Sequence, residues 1–420
     1  MVPTSYPLGA MRQRLAYLGC SFGTGVFSAF NNFTLTLWLA AFTDSYLLLG
    51  LLGNSRAFVG ALVSPAVGNW SDRIWLGWLG RRRPFILAGA VLAGLGMALT
   101  PLVGTSLGPA IVIILLYTAW YNVADDIHQA LLVDVVSERG RNRLAARSVV
   151  VHFSGQVAIL LLGFAAWSES VPAWAFAFTG AVLTAGALVT VLGVRETNLT
   201  PQPPPHCDGE GENLLPSPSQ GRGAGGEGYP GWLSFPRAAL VFGLVYFCYW
   251  SGVNAVMPLV SVYTQHILGA SVGEAQLLPA LLLVSTTVLA LPMGWLGDRY
   301  GRKRVMTAGY AIMGLCGLAG LVITTKEQGA IVFLLAGVGN AASMVLTIPL
   351  LAELVPAHRI GTATGLLAAS GSVAAPFASL VAGALSDLYG PRAIFGLMAV
   401  MIALALLLMS FVQHPAPKTP

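Results

Sequence analysis

Long apolar runs separated by short polar turns set the pattern of this chain. They fall near residues 16–42, 46–69, 84–104, 108–135, 147–167 and 171–194, and resume near 237–264, 272–296, 305–324, 329–355, 361–384 and 392–412. Each is long enough to cross about 30 Å of hydrocarbon as a helix. The period-two alternation of membrane β-strands is absent from them. The pattern therefore predicts an all-α membrane protein of twelve transmembrane helices, built as two six-helix bundles. The first bundle occupies residues 1–194 and the second 236–420. Residues 195–235 between them are rich in Pro, Gly, Ser and Glu. Such a stretch buries no core and reads as a disordered linker.

Composition sharpens this picture. Charged residues make up 9% of the chain and mean hydropathy is +0.73, values that exclude a soluble domain of this length. With both termini placed inside, every Lys and Arg except Arg56, Lys326 and Arg392 falls on the cytoplasmic side, so the positive-inside rule fixes the orientation. The net charge of +5 is then a topology signal rather than a nucleic-acid footprint. Arg12 and Arg14 precede a full-length helix without a small-residue cleavage site, so no cleavable leader is expected. The expected location is a bacterial inner membrane, with the chain acting as a monomer in the bilayer. Cys20, Cys207, Cys248 and Cys316 show no paired spacing, and neither a disulfide nor a metal site is expected. A phosphate loop and a nucleophile constellation are missing, which argues against an enzyme and against any cofactor beyond an ion gradient.

The few ionisable residues within the apolar runs carry the chemistry. Asp125 and Asp126 lie deep in the fourth run, Arg56 in the second, and His128 and His152 in the fourth and fifth. A charged group at such depth costs at least about 2.5–3.5 kcal/mol, so it normally faces a wet cavity or a partner. Tyr117, Tyr121, Asp125 and Gln129 share one helical stripe, and Asn122 and Asp126 share a second about 100° away. An acid that alternates between pairing with Arg56 and holding a proton is what proton coupling requires. Asp125, Asp126, Arg56 and His152 are the candidates for that role. The plainer alternatives are an Arg–Asp pair that only locks two helices, and a packing histidine.

Amides and aromatics at helical spacing suggest a binding surface. Asn31 and Asn32 lie in the first run, Tyr121, Asn122 and Gln129 in the fourth, and Gln156 in the fifth. Tyr246, Trp250 and Asn254 follow a spacing of four in the seventh, and Asn340 lies in the tenth. Aromatic planes beside amides suit a sugar, whose C–H face stacks while its hydroxyls both donate and accept. The same stripes also serve as ordinary helix packing.

Two polar loops repeat. Gly68-Asn-Trp-Ser-Asp72-Arg73 leads through a short expansion to Gly80-Arg81-Arg-Arg-Pro-Phe-Ile86. The second copy reads Gly294-Trp-Leu-Gly-Asp298-Arg299-Tyr-Gly301-Arg302-Lys-Arg. The spacing Gly-x-x-x-Asp-Arg-x-Gly-Arg-Arg/Lys resembles the loops between helices 2 and 3 and between helices 8 and 9 of the major facilitator superfamily. The longer first loop, with its Gly-Arg-Arg-Arg-Pro-Phe-Ile run, is similar to that of the sucrose and glycoside carriers. So is Gln129-Ala-Leu-Leu-Val-Asp134, which stands where that branch has Arg-Ala-Leu-Leu-x-Asp. The resemblance implies a gating role for Gly68, Asp72, Arg73, Gly80, Arg81, Gly294, Asp298, Arg299, Gly301 and Arg302 at the cytoplasmic rim. It departs from the branch at Thr118, where the plant carriers place their coupling carboxylate, and at Gln129, which replaces the Arg. The Gly-Pro signature of drug antiporters is missing from the fifth run.

Together these features predict a secondary transporter working by alternating access, most simply as proton-coupled symport of a sugar such as sucrose, maltose or another glycoside. The first alternative is a proton-coupled exporter of amphipathic compounds. The second is a non-transporting sensor on the same fold.

Overall fold

The computed structural model describes residues 8–71, 80–103, 106–135, 138–194, 237–356 and 360–412. Asp72 and Arg73 of the first loop motif and the linker 195–235 lie outside the described residues. Every regular element among those described is helical.

Helix α1 begins as Leu8–Ala29, passes through a π-helical turn at Phe30–Thr34 and ends as Leu35–Leu39. Helix α2 is broken into α2a, Tyr46–Gly53, and α2b, Ser55–Ser71, which meet at 50°. The first half is completed by α3 (Arg83–Leu99), α4 (Leu107–Val135), α5 (Glu138–Ala166) and α6 (Ala173–Gly193). In the second half α7 is split into α7a (Arg237–Val256) and α7b (Val260–Leu268), with Pro258 at the break. It continues with α8 (Leu277–Tyr300), α9 (Arg302–Gly320), α10 (Lys326–Leu354), α11 (Ile360–Tyr389) and α12 (Ala393–Phe411). Among the described residues nine helices are long and apolar enough to cross a membrane, ten with the bent α2 pair counted as one span. The other two rods have local reasons for their weaker signal: Leu8–Ala29 of α1 carries Arg12, Gln13 and Arg14 and several Gly, Ser and Thr residues, and α9 opens on Arg302, Lys303 and Arg304.

Without a hydrophobic force between helices in lipid, close approach depends on small residues. Gly25 of α1 sits against the carbonyl of His152, and Gly155 of α5 against that of Phe22, so neither position has room for a Cβ. This double contact seats α5 on α1 and carries His152 to the polar centre of the first half. The two halves meet mainly through α2a on α11 and through α5 on α8. We call the end bearing the repeated loops the motif end and the opposite one the far end. At the far end the halves are closed. Thr34 donates to Gln276 Oε1 at 3.2 Å, and Tyr46 OH and His266 Nδ1 stand 3.1 Å apart. Asp387 of α11 accepts hydrogen bonds from the start of α2a.

Candidate functional site beside the break in helix 2

The break in α2 organises the site. The helix departs from α geometry at Asn54 (φ −105°, ψ 18°), and Gly53 beside it packs so closely against Thr36 and Pro258 that a Cβ there would have no room. A break inside a membrane frees backbone carbonyls that water does not reach, and these must be satisfied by protein. Asn31 does this, donating to Gly53 O at 3.3 Å and to Ser55 Oγ at 3.4 Å. Asn31 is in turn held by Tyr117, whose hydroxyl donates to its Oδ1 at 3.1 Å. Asn54, at the corner, donates across the boundary between the halves to Ser379 Oγ at 2.9 Å and to Asn254 Oδ1 at 3.4 Å.

Two residues past this seal, Arg56 meets Asp125 at 3.3 Å. The Arg56 side chain keeps 38% of its exposure and Asp125 only 8%. Arg56 is the more accessible member of the pair. Beyond the corner, α2b turns by 50° from the line of α2a.

The pair is embedded in a directed network. Arg56 Nη1 donates to Ser28 Oγ at 3.2 Å, Ser28 Oγ and Tyr121 OH stand 2.9 Å apart, and Tyr121 donates to Thr24 O at 3.2 Å. Since Tyr121 spends its proton on that carbonyl, Ser28 must donate to Tyr121. The chain therefore runs from Arg56 outward in one direction. The guanidinium also lies over the Tyr121 ring, 5.6 Å from its centre, which adds a cation–π contact. Gln129 donates to the same Asp125 oxygen at 3.1 Å, and Asn122 donates to the Arg56 carbonyl at 3.2 Å. Asp126, half-buried one residue on, lies within electrostatic reach of Arg56. His152 Nδ1 stands 3.2 Å from Thr24 Oγ1, whose own proton goes to Ser21 O. The geometry supplies a charged pair with one accessible member, an acid with a second donor on it, and a histidine bonded to Thr24, the residue whose carbonyl ends the chain. Such an arrangement holds groups able to bind and release a proton.

The residues of the second half are arranged differently. Tyr249 donates to Asn340 Oδ1 at 3.1 Å, and Asn340 donates to Thr286 Oγ1 at 3.1 Å, a neutral and fully buried chain. Tyr246, Trp250 and Asn254 are half-buried along α7a, with Trp250 edge-on to Tyr246 at 6.0 Å.

The Major Facilitator Superfamily family model matches residues 242–420. The cis,cis-muconate transport protein of Acinetobacter baylyi is 30% identical over 148 residues, 35% of this chain and 35% of that protein. Multidrug resistance protein MdtG of Enterobacter lignolyticus is 34% identical over 173 residues, 38% of this chain and 40% of its own length. The matched stretch thus spans less than half of these curated relatives. Solved structures extend the likeness to the whole chain. The nucleoside transporter NupG superposes with a TM-score of 0.74 at 12% identity, covering 95% of this chain and 99% of that one. A D-xylose–proton symporter superposes at 0.69 and 18%, covering 99% and 100%. The fold is the major facilitator fold.

Within that fold the sequence candidates separate into groups. Arg56, Asp125, Gln129, Asn122, Tyr121 and His152 come together around the centre of the first half. Asn31 is 1% exposed and Tyr121 fully buried, with Phe27 stacked on the Tyr121 ring at 3.9 Å, so both brace the site from behind. Asn340 has the same bracing position in the second half. Asn32 and Gln156 are half-buried on α1 and α5, and Asn254 stands at the seal. His128 is a packing residue, stacked on Tyr17 at 4.3 Å and bonded to its carbonyl.

At the motif end, Arg302 pairs with Glu353 at 3.0 Å and with Asp298 at 3.6 Å, while Arg299 lies over Trp295. Gly301 and Gly80 take positive φ (92° and 77°), the turn geometry their loop positions require. Gly68 lies within α2b and Gly294 within α8, and Arg81 is half-buried. Beside it, Arg82 and Arg83 donate to the carbonyls of Ala130 and Val191. Sequence reasoning passed over Ser28, Thr24 and Asn54. Small polar residues in apolar runs look like packing until a helix break is known to need them.

Proposed function

We propose that this protein is a secondary transporter that couples proton movement to symport of a small solute, a sugar or other glycoside, by alternating access. Asp125 is the proton carrier and Arg56 its counter-charge. The observation that carries this reading is the Arg56–Asp125 pair, 3.3 Å apart, with the Arg56 side chain keeping 38% of its exposure and Asp125 8%. Protonating Asp125 frees the guanidinium and weakens the hold of α2b on α4, so one proton changes a contact between helices. Gln129 keeps the acid oriented through that change, and Asp126 and His152 are the nearest secondary proton sites. The residues available to a hydroxylated solute are Gln129, Asn32, Gln156, Tyr246, Trp250 and Asn254. On this reading the motif end lies in the cytoplasm of a bacterial cell, supported by the Lys/Arg bias of the loops.

The test is uptake of labelled sucrose, maltose and glucose into proteoliposomes with and without an inward proton gradient. The expected result is gradient-driven accumulation that Asp125→Asn reduces to passive exchange. Accumulation unchanged in both Asp125→Asn and Asp126→Asn rejects the coupling role. A second reading, proton-coupled export of amphipathic compounds, draws on the 34% identity to a multidrug resistance protein. It gains if no sugar accumulates under any gradient while a lipophilic dye is expelled.

A further inference from the structure

The far end carries a feature that the transport reading does not use. Asp387, two residues before the end of α11, accepts from Ser45 Oγ at 3.0 Å, from the Tyr46 amide at 2.6 Å and from the Leu47 amide at 3.2 Å. These donors open α2a, in the other half of the molecule. The first amides of a helix have no partner within it, and a carboxylate there meets both the free N–H groups and the positive end of the helix dipole. The contact is charge-assisted and spans the two halves.

The sequence around it repeats the gating loop. Gly383-Ala-Leu-Ser-Asp387-Leu-Tyr-Gly390 matches Gly294-Trp-Leu-Gly-Asp298-Arg-Tyr-Gly301 at Gly, Leu, Asp, Tyr and Gly. The backbone repeats with it. Gly390 has φ 89° and Gly301 φ 92°, and each amide closes its helix by bonding four residues back, at 2.9 and 3.0 Å. The two copies sit at opposite ends of the molecule and differ in engagement. The Asp298 side chain keeps 75% of its exposure and its ion pair stays within its own half, to Arg302. Asp387 is bonded across the boundary.

We infer that Asp387 is the latch of the far-side gate, a third copy of the loop motif whose carboxylate holds α2a onto α11. The latch acts at one end of a short rigid strut. At the other end of α2a, Asn54 bonds Ser379 and Asn254, and Arg56 follows two residues later. Asp387 is thus a positioning residue for the transport cycle, and this inference rests on the alternating-access reading.

The test uses spin-label distances in the full chain, on a background with the four cysteines replaced by serine. One label pair spans the far end (Glu169→Cys with Val322→Cys), the other the motif end (Ala146→Cys with Arg304→Cys). Asp387→Asn is expected to shift the far-end population to longer distances and the motif-end population to shorter ones. Asp387→Glu is expected to restore much of the original distribution. Unchanged distances in Asp387→Asn overturn the latch. So does a far end that widens without the motif end closing, which marks a merely structural contact. These distances are read without transport, so failure of the proton-symport reading shows in the uptake assay and failure of the latch shows here.

Discussion

The two halves use one bond in two ways. In the first half Tyr117 of α4 donates to Asn31 of α1, and in the second Tyr249 of α7a donates to Asn340 of α10, both at 3.1 Å. Each ties the first helix of its half to the fourth, with the Tyr and Asn exchanged between the equivalent positions. Around this shared clamp the halves diverge. The first adds Arg56 and Asp125 and leaves the cation half-exposed, while the second closes its network on the neutral Thr286. Two bundles that rock against each other need matching scaffolds, but a proton needs only one binding site. Among the described residues the ion pair deep in a span lies in the first half, and the corresponding network of the second half is neutral.

That division can be broken most directly by charge. Asp125→Asn should abolish gradient-driven accumulation while leaving counterflow exchange. Asn340→Ala should leave the driven component in place and change only apparent affinity or expression. Uptake and counterflow in proteoliposomes separate the two, and an Asn340→Ala variant that also loses coupling would end the asymmetry.

The shared clamp gives a smaller effect that should be equal in both halves. Tyr117→Phe and Tyr249→Phe each remove one interhelical hydrogen bond, worth about 0.6 kcal/mol on average and about 1.7 at most in a membrane protein. Denaturant unfolding in detergent should show two similar losses. A Tyr117→Phe cost well above that of Tyr249→Phe would mean that the helix break leans on Asn31 more than the C-terminal network leans on Asn340.

Smallest is the motif end. Arg302→Gln removes the pairing with Glu353, whose partners keep 31% and 37% exposure, and exposed pairs contribute about 0–1 kcal/mol. Stability should barely change. Any clear effect should fall on the distribution between the two states, read by the motif-end spin-label pair.

Much of this architecture was legible in the chain. The apolar runs follow from hydropathy, with 46–69 read as one unbroken span, and the motif loop between α8 and α9 follows from spacing; most of the loop between α2 and α3 lies outside the described residues. Each is a local property that a bilayer reads residue by residue. Asp125 and Arg56 stood out for the same reason, since charges at that depth are rare. In the stripe Tyr117–Tyr121–Asp125–Gln129 the first three residues reach α1 and α2, and Gln129 bonds Asp125 one turn away, because a spacing of four is enforced by the helix itself.

What the sequence left open is which partner each polar group finds. Whether Asn31 meets solute or a stranded carbonyl depends on the break after Gly53, a corner packed against Pro258 of the other half. Asp387 lies in a stretch that echoes the gating loop, yet its three donors are about 340 residues away in the chain, and only the closure of α2a onto α11 brings them together. Secondary structure in a membrane is fixed by local hydrogen bonding and apolar length, which the chain carries in itself. The partners of buried polar groups are fixed by which helices close on one another, and that is a property of the packed whole.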